Sequence, residues 1–487
     1  MSTSKDLSET RNLERHLSRI GLALDQFVEF NHPDALQNAS QWRSYLDQPL
    51  PQQGVGIEQI TADICDCLIP NGSAVPKPGF TAFITTGATT ASTLASTAAS
   101  IASPQRYGLN AFTMLEELSL DWMAEMFNIT PMKGIYSSGG SVANLIAMGG
   151  ARQHAFERLG HDPAARGVNR AAVVYATRES HHTIQRALGV LGLGRDAVRL
   201  IDVDESGRML PASLRDTIEA DRRNDILPVA VIANAGSTNT GIIDPLRPIG
   251  EITREFGIWF HVDGAYGLPG ILDPRINHLY KGLEFADSVI VDPHKWLGAS
   301  VGIAATFVRD RDILYRAFTQ EPADYLEGSM EQSDTAEVTV EHSMDSFGIP
   351  YFDFGVELSS PARGVVVWSL IREIGLEGMR QRIMRHNDMA RHVAEFAHQH
   401  PNLEVLSEPV LSICCFRYVA DGVENLDKLN QALCRQLIRE NQHLPSTTRV
   451  KGKLAIRPCF VAARTNQDHV KELLQATLRI GKQLTPK

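Results

Sequence analysis

The sequence predicts an α/β protein with a mostly parallel sheet, preceded by a helical arm and followed by a small α+β domain. Between about residues 110 and 310, short apolar runs alternate with helical patterns. This alternation is typical of a parallel sheet with helices on both faces. The spacing of the apolar residues is different before and after that region. We therefore place the predicted domains at 1–86, 87–375 and 376–487.

The composition is ordinary for a globular chain and excludes several classes of partner. Its 487 residues suffice for two or three packed domains, and 43% are apolar and 21% charged. A net charge of -10 and a pI near 5.9 argue against binding to nucleic acid or an anionic membrane. The six cysteines include no CxxC pair, so no zinc or other metal site is indicated. Without a signal peptide or an apolar run of about 20 residues, a reduced, cytoplasmic protein is expected.

The arm is predicted from two helical patterns. Residues 12–30 and 57–68 carry apolar side chains at helical spacing. The second pattern stops before Pro70, Asn71 and Gly72, a strong turn signal. Such amphipathic segments must bury their apolar faces on another surface.

Short apolar runs predict the strands of the central domain, and helical patterns lie between them. The predicted strands are 171–176, 198–203, 229–234, 258–262, 288–291 and 304–308. The predicted helices are 111–128, 141–158, 181–192, 211–221 and 246–255. Ligands of such sheets bind beyond the carboxyl ends of the strands, so motifs that follow a strand are candidate site residues.

Two further regions complete the chain. Residues 320–350 are polar and lack apolar periodicity, which predicts a long loop of the kind that serves as a lid or binding loop. The small domain is predicted from strands and helices beyond residue 400. These are strands 403–406, 411–417 and 453–457 and helices 425–440 and 467–482.

A carboxylate and an amine follow two of the predicted strands. Asp263 ends the strand 258–262 and precedes the small residue Ala265, against which a flat ring could lie. Taken alone, an aspartate that caps a loop explains it as well. Lys295 follows the strand 288–291 between His294 and Trp296, an unusual setting for a solvated lysine. Removal of water favours the neutral, nucleophilic amine of Schiff-base lysines.

A glycine turn and two histidines follow other strands. Gly139, Gly140 and Ser141 precede a helical pattern, and bare N–H groups at a helix N-terminus suit a phosphate. A tight turn with a helix cap is the alternative explanation. His181 and His182 open another helical pattern, either as caps or core histidines or as rings that stack on a flat cofactor.

The order of these motifs resembles the order in fold-type I pyridoxal-phosphate enzymes. Segments 138–145, 181–187, 261–267 and 292–297 are similar to the group II pyridoxal-dependent decarboxylases. That family includes aromatic-amino-acid, histidine, glutamate and cysteine-sulfinate decarboxylases. The resemblance extends from about residue 55 to 310, and more loosely to the C-terminus. It implies a seven-stranded sheet and a homodimer with active sites at the subunit interface.

The resemblance also implies a role for each matching residue. Lys295 would hold pyridoxal 5'-phosphate as an imine and move protons, while Asp263 would pair with the pyridine nitrogen. His181 would stack on the ring. The remaining residues implied to contact the phosphate or line the ring are Gly139, Gly140, Ser141, His294, Asn234 and Ala265.

Two departures from the family concern the reaction. Family decarboxylases carry a loop tyrosine that protonates the substrate carbon, but Phe347 leads the comparable segment here, which leaves Tyr325 and Tyr351 as candidates. Ser360 stands where many members carry an arginine, with Arg363 nearby.

The same resemblance places a substrate wall in residues 78–87, with Phe83 and Thr86. Phe83 would favour an aromatic substrate, whereas Arg106 would bind an acidic one. The leading hypothesis is therefore decarboxylation of an L-amino acid to the amine, with an aromatic substrate slightly preferred. The alternatives are oxidative decarboxylation–deamination to an aldehyde, transamination, or a binding protein with a decayed enzyme fold.

Overall fold

The computed structural model describes residues 12–106, 110–319 and 349–485. The arm consists of three short helices followed by a π-helical turn at Asp63–Leu68. The helices are α1 (Leu13–Phe27), α2 (Ala39–Leu46) and α3 (Gly56–Ala62). Many apolar side chains of the arm are exposed, among them Leu22, Leu36 and Leu50.

The remaining elements continue in chain order. They are β1 (Phe80–Thr81), α4 (Thr90–Ala102), α5 (Ala111–Met126), β2 (Lys133–Ser137), α6 (Gly140–Glu157), α7 (Pro163–Arg166), β3 (Ala172–Ala176), α8 (Thr183–Val190), β4 (Val198–Leu200), α9 (Pro211–Arg223), β5 (Leu227–Asn234), α10 (Leu246–Phe256), β6 (Trp259–Asp263), β7 (Ser288–Val291), β8 (Ala304–Val308), α11 (Asp312–Phe318), α12 (Gly364–His398), β9 (Leu403–Ser407), β10 (Cys415–Tyr418), α13 (Leu426–Arg439), β11 (Leu444–Val450), β12 (Lys453–Arg457) and α14 (Gln467–Leu484).

The central domain is built on a seven-stranded sheet of order β2-β8-β7-β6-β5-β3-β4. Strands β4, β3, β5, β6 and β7 pair in parallel, while β8 runs antiparallel to both β7 and β2. The predicted α/β fold with a mostly parallel sheet is thus confirmed. Because β2 runs in the same direction as β5, β6 and β7, the carboxyl ends of these four strands lie at one edge of the sheet.

The C-terminal unit has its own five-stranded sheet and its own core. The sheet order is β1-β11-β12-β10-β9, so the short strand β1 pairs with the C-terminal β11, in parallel. A separate apolar cluster that includes Phe416, Leu433 and Leu474 lies between this sheet and its helices. Helix α12 links both units and is interrupted at Gly375, with φ 66° and ψ 176°. Within the described residues, no helix combines the length and apolarity needed to cross a bilayer.

Candidate active site

A cleft of about 290 Å³ lies at the edge where β2, β5, β6 and β7 end. This size is near the lower end of small-molecule sites, about 300 Å³. All of the residues predicted to hold the cofactor line this cleft. They are Gly139, Gly140, Ser141, His181, Asn234, Asp263, Ala265, His294 and Lys295. The fold therefore brings together motifs that lie up to 156 residues apart in sequence.

Lys295 enters the cleft from a π-helical turn, Pro293–Leu297, that follows β7. Its Nζ lies 3.0 Å from Oδ2 of Asp292, and the lysine side chain is 19% exposed. The other oxygen of Asp292, Oδ1, is buried without a hydrogen-bond partner among the described residues. Asp292 was not predicted as a site residue, although it begins the motif that contains Lys295. In this arrangement it is the counter-ion of the amine.

Asp263 is the last residue of β6 and only 8% exposed. Its carboxylate accepts hydrogen bonds from Nδ2 of Asn144, at 3.2 Å, and from the backbone N–H of Ala265, at 3.1 Å. These two bonds hold the carboxylate in a fixed position in the wall of the cleft.

The glycine turn connects β2 to the N-terminus of α6. Gly139 has φ +156°, and Gly140 packs so closely that a Cβ there would lie 2.8 Å from Oδ2 of Asp292. The imidazole of His294 lies on the other side of the turn, 3.8 Å from the Cβ position of Gly139. Because the first N–H groups of a helix have no partner within the helix, the start of α6 suits an anionic group.

His181 lies directly before α8 and, unlike His182, lines the cleft. Its Nδ1 is 2.8 Å from Oγ1 of Thr183, which fixes the ring. Burial lowers the pKa of His181, so the neutral ring is favoured. A neutral, oriented imidazole at a cleft wall can stack on a flat aromatic ligand.

Asn234 ends β5 and is held by a buried aspartate that sequence reasoning missed. Asp244 accepts from both the backbone N–H and the Nδ2 of Asn234, at 2.7 and 2.9 Å. It also accepts from the backbone N–H of Met209, at 2.7 Å. Asn234 is therefore held in a fixed position in the wall of the cleft.

The predicted substrate residues lie elsewhere, since none of the described ones is among the residues that line the cleft. Thr86 is buried against the Gly87 carbonyl, and Phe83 is 68% exposed at the surface. The guanidinium of Arg106 donates to the Tyr136 carbonyl at 3.0 Å. Tyr325 lies outside the described residues.

Arg363 and Tyr351 belong to buried polar pairs, of which only the first reaches a residue of the cleft. Nη1 of Arg363 binds Oε2 of Glu357 at 2.6 Å, and Glu357 also bonds Ser138 in the glycine turn. The hydroxyl of Tyr351 donates to Oε2 of Glu117 at 2.6 Å. Arg363 is thus paired within the protein, whereas Nε of Arg106 is buried without a hydrogen-bond partner among the described residues. The substrate roles of Arg106, Arg363 and Tyr351 stay predictions.

Comparison with known proteins agrees with this geometry. The pyridoxal-dependent decarboxylase conserved domain matches residues 40–419. An aromatic-L-amino-acid decarboxylase of Bacillus atrophaeus is 32% identical over 371 residues, covering 75% of this chain and 72% of that protein. A phenylacetaldehyde synthase of Arabidopsis thaliana is 25% identical over 441 residues, covering 88% and 86%. Catharanthus roseus tryptophan decarboxylase in complex with L-tryptophan has a similar structure, with a TM-score of 0.83 at 21% identity over 98% of this chain and 99% of that one.

The fold and the cleft define the class of a pyridoxal-phosphate enzyme of the amino-acid decarboxylase type. The domain match over most of the sequence shows that the chain belongs to the pyridoxal-dependent decarboxylase family. Oryza sativa TDC with PLP and tryptamine has the same fold, with a TM-score of 0.85 at 22% identity over 98% of this chain and 100% of that one. The family resemblance inferred from the motifs is thus confirmed.

The donor set of the cleft fits pyridoxal phosphate. Lys295 supplies an amine, Asp263 a buried carboxylate, His181 a flat neutral ring, and the turn at Gly139 a set of N–H groups. The buried Oδ1 of Asp292, which has no hydrogen-bond partner among the described residues, lies in the same cleft. Each part of the cofactor has a matching group here: the aldehyde, the pyridine nitrogen, the aromatic face and the phosphate.

Proposed function

We propose that this enzyme decarboxylates an L-amino acid to its amine and carbon dioxide, with an aromatic substrate preferred. The observation that carries the proposal is the convergence of Lys295, Asp263, His181 and the glycine turn on one cleft. Pyridoxal phosphate, when bound, supplies an electron sink for the pair released when the bond from Cα to the carboxylate breaks.

The side chains of the cleft then have separate tasks. The Nζ of Lys295 attaches the cofactor and afterwards is free to carry a proton. The carboxylate of Asp263 pairs with the ring nitrogen, and His181 stacks on the ring face. N–H groups at Gly140 and Ser141, with His294, hold the phosphate. We assign these roles from the placement of each group in the cleft.

The charges around the cleft favour an aromatic over an acidic substrate. Among the described residues that line it, Lys295 is the only lysine or arginine, and it is paired with Asp292. Arg106 and Arg363 donate to a backbone carbonyl and to Glu357 instead. A glutamate-like side chain would therefore find no unpaired lysine or arginine among the described residues that line the cleft, whereas an aromatic one needs none. The relative from Bacillus atrophaeus is named an aromatic-L-amino-acid decarboxylase, which also supports an aromatic substrate here.

We also infer a cytoplasmic homodimer with the cleft at the subunit interface. Leu36 and Leu50 of the arm are 79% and 82% exposed, and Phe83 and Val301 are 68% and 76% exposed. Val301 lines the cleft. Because exposed apolar surface of this kind marks an interaction site, a second copy would cover it. All six cysteines are free, which fits a reducing compartment.

Sedimentation of the purified enzyme tests the dimer. We expect a species with twice the chain mass of 53.6 kDa. Full activity in a monomer would contradict the inferred interface.

The second candidate activity is aldehyde formation. The loop segment that begins at Phe347 offers no tyrosine at the expected place, and Tyr325 lies outside the described residues. A relative named phenylacetaldehyde synthase matches 88% of the chain. This activity would consume oxygen and release peroxide and ammonia.

A panel of L-amino acids, with products identified by mass spectrometry, separates these activities. Amine and carbon dioxide in equal amounts without peroxide support the proposed decarboxylation, whereas aldehyde with peroxide supports the alternative. Lys295→Ala should lose both turnover and the visible absorbance of the bound cofactor. Lys281→Ala, an exposed lysine, serves as the matched control. Absence of product and of cofactor absorbance in the unmodified enzyme would indicate a non-catalytic protein.

A further inference from the structure

A continuous chain of buried side chains lies behind Asp263. The indole Nε1 of Trp259 donates to Oγ of Ser288 at 2.8 Å, and that oxygen lies 2.8 Å from Nδ1 of His261. Nε2 of His261 lies 3.0 Å from Oδ1 of Asn144. Nδ2 of Asn144 then reaches Oδ2 of Asp263 at 3.2 Å. None of the first four side chains is more than 5% exposed, so water does not compete for these bonds.

The chemistry of the two ends, together with a neutral His261, fixes the direction of every bond in the chain. An indole N–H can only donate, so the hydroxyl of Ser288 accepts from Trp259 and keeps its own hydrogen available for Nδ1 of His261. At the other end, the carboxylate of Asp263 requires the NH₂ group of Asn144. The carbonyl oxygen of Asn144 therefore faces His261, whose hydrogen must be on Nε2. All donors point towards Asp263.

The neutral form of His261 completes this pattern. With its single hydrogen on Nε2, the ring presents Nδ1 as an acceptor to the hydroxyl of Ser288. Burial lowers the pKa of His261 to about 4, which agrees with a neutral ring at physiological pH. The ring of His261 does not reach the cleft, because Asn144 and Asp263 separate the two. A direct contact with a ligand is therefore not its role.

We propose that Ser288, His261 and Asn144 form a one-way hydrogen-bond relay that orients the amide of Asn144 and so holds Asp263 against the ring nitrogen of the cofactor. Without the N–H of His261, the amide of Asn144 is free to turn its oxygen towards the carboxylate. That orientation replaces an attraction by a repulsion beside the charge on which the ring nitrogen depends. His261 is thus a positioning residue, and this inference rests on the role proposed for Asp263.

Two substitutions of similar polarity isolate the relay. In His261→Gln, the side-chain NH₂ reaches the position of Nε2 and can still donate to Asn144. In His261→Asn, the shorter amide reaches the position of Nδ1 and leaves Asn144 without a donor. Both side chains are polar and smaller than histidine, so both variants lose some packing and this loss does not distinguish them. Thr306→Val is a further control, because it removes a buried hydrogen bond to the Ala143 carbonyl at 3.1 Å without touching the relay.

The measured property is the protonation of the ring nitrogen. The ¹⁵N chemical shift of bound, ring-labelled pyridoxal phosphate reports it across a pH series. In His261→Asn we expect the nitrogen to lose its proton at lower pH than in the unmodified enzyme. We also expect kcat to fall roughly tenfold to hundredfold at little-changed KM, the size expected for one hydrogen bond to a charged group. His261→Gln should restore both values, and Thr306→Val should match the unmodified enzyme.

Asp263→Asn separates failure of the relay from failure of the proposed site. If Asp263→Asn shifts the nitrogen signal while His261→Asn behaves like His261→Gln, the relay is wrong and the role of Asp263 stands. If Asp263→Asn leaves the signal unchanged, the assignment of Asp263 is itself wrong. Should His261→Asn not fold, Asn144→Leu removes the last link directly and must give the same shift, or the relay is overturned.

Discussion

Two buried aspartates end neighbouring parallel strands, and their partners give them different tasks. Among the described residues, the carboxylate of Asp263 accepts from N–H groups alone, those of Asn144 and Ala265. Asp292 pairs instead with the amine of Lys295 and lies against Gly140. The first carboxylate is therefore suited to a permanent cationic partner in a ligand, and the second to the lysine itself.

The contact between Gly140 and Asp292 leads to a prediction about cofactor affinity. In Gly140→Ala, the new Cβ would lie 2.8 Å from Oδ2 of Asp292, so either the carboxylate or the glycine turn must move. Overpacking of this kind costs about 1–3 kcal/mol, so we expect the Kd of pyridoxal phosphate to rise roughly tenfold or more. Fluorescence titration of the cofactor-free protein measures it. Gly21→Ala, with no atom within 4 Å of the new Cβ, should leave the Kd unchanged.

The sequence predicted the side chains of the cleft but not the groups that hold them. Lys295 and Asp263 were found because each follows an apolar strand, and strand ends meet at one edge of a parallel sheet. Asn144 and Asp244 act through partners that are distant in sequence, so no local pattern marks them. The bond from Arg106 to the Tyr136 carbonyl likewise exists only in the folded chain, so the sequence could not reveal it.

At the scale of elements, the strands buried on both faces were the most predictable. Strand β5 has a continuous apolar pattern and was predicted almost to its bounds. Strand β2 was missed because its residues, from Lys133 to Ser137, include glycine and lysine and lack a clear apolar run. Strand β11 was missed for a similar reason, since its exposed positions carry threonine and arginine.

Helix α12 shows how one backbone position shapes an element. At Gly375 the helix adopts φ 66° and ψ 176°, a region that is essentially restricted to glycine. The predicted domain boundary at 375 coincides with this interruption, although the boundary itself stays a prediction. The break allows the N-terminal part of α12 to pack on α5 while the C-terminal part packs on the small sheet.

Gly375→Ala should therefore destabilise the fold through backbone strain alone. No atom lies within 4 Å of the new Cβ, so the substitution adds no clash. Holding a residue other than glycine in this region costs of the order of 1–3 kcal/mol. Thermal unfolding should show a lower midpoint than that of the unmodified protein. Gly54→Ala, also in open space but without a positive φ, should not lower it, and equal midpoints for both variants would contradict the strain argument.

At the scale of the whole molecule, buried histidines couple stability to pH. His386 in α12 is fully buried and accepts a hydrogen bond from Nε1 of Trp296 at 2.9 Å, while burial lowers its pKa to about 3. Since an unfolded histidine has a pKa of about 6.5, the unfolded chain binds a proton that the folded chain does not. This contribution to stability is complete above pH 6.5 and is lost as the pH falls towards 3. His261 acts in the same direction, down to its pKa of about 4.

Glu116 acts with the opposite sign, because burial raises its pKa to about 7. The folded chain keeps this proton between the unfolded value of about 4.3 and pH 7, so stability falls as the pH rises through that window. At acid pH, the slope of the unfolding free energy of the unmodified protein against pH is thus a sum of contributions of opposite sign. Only the difference between two variants gives the contribution of one histidine.

His386→Asn provides that difference. The asparagine oxygen can still accept from Trp296, but the side chain does not titrate. Between pH 6 and pH 4, the slope of the unfolding free energy against pH should decrease by about 1.4 kcal/mol per pH unit, the value for one proton. Urea unfolding of the cofactor-free protein at a series of pH values measures this slope. His278→Asn, an exposed histidine, should leave the slope unchanged. Because a loss of packing shifts all points equally, parallel curves for His386→Asn and the unmodified protein would show that His386 binds its proton in the folded chain as well.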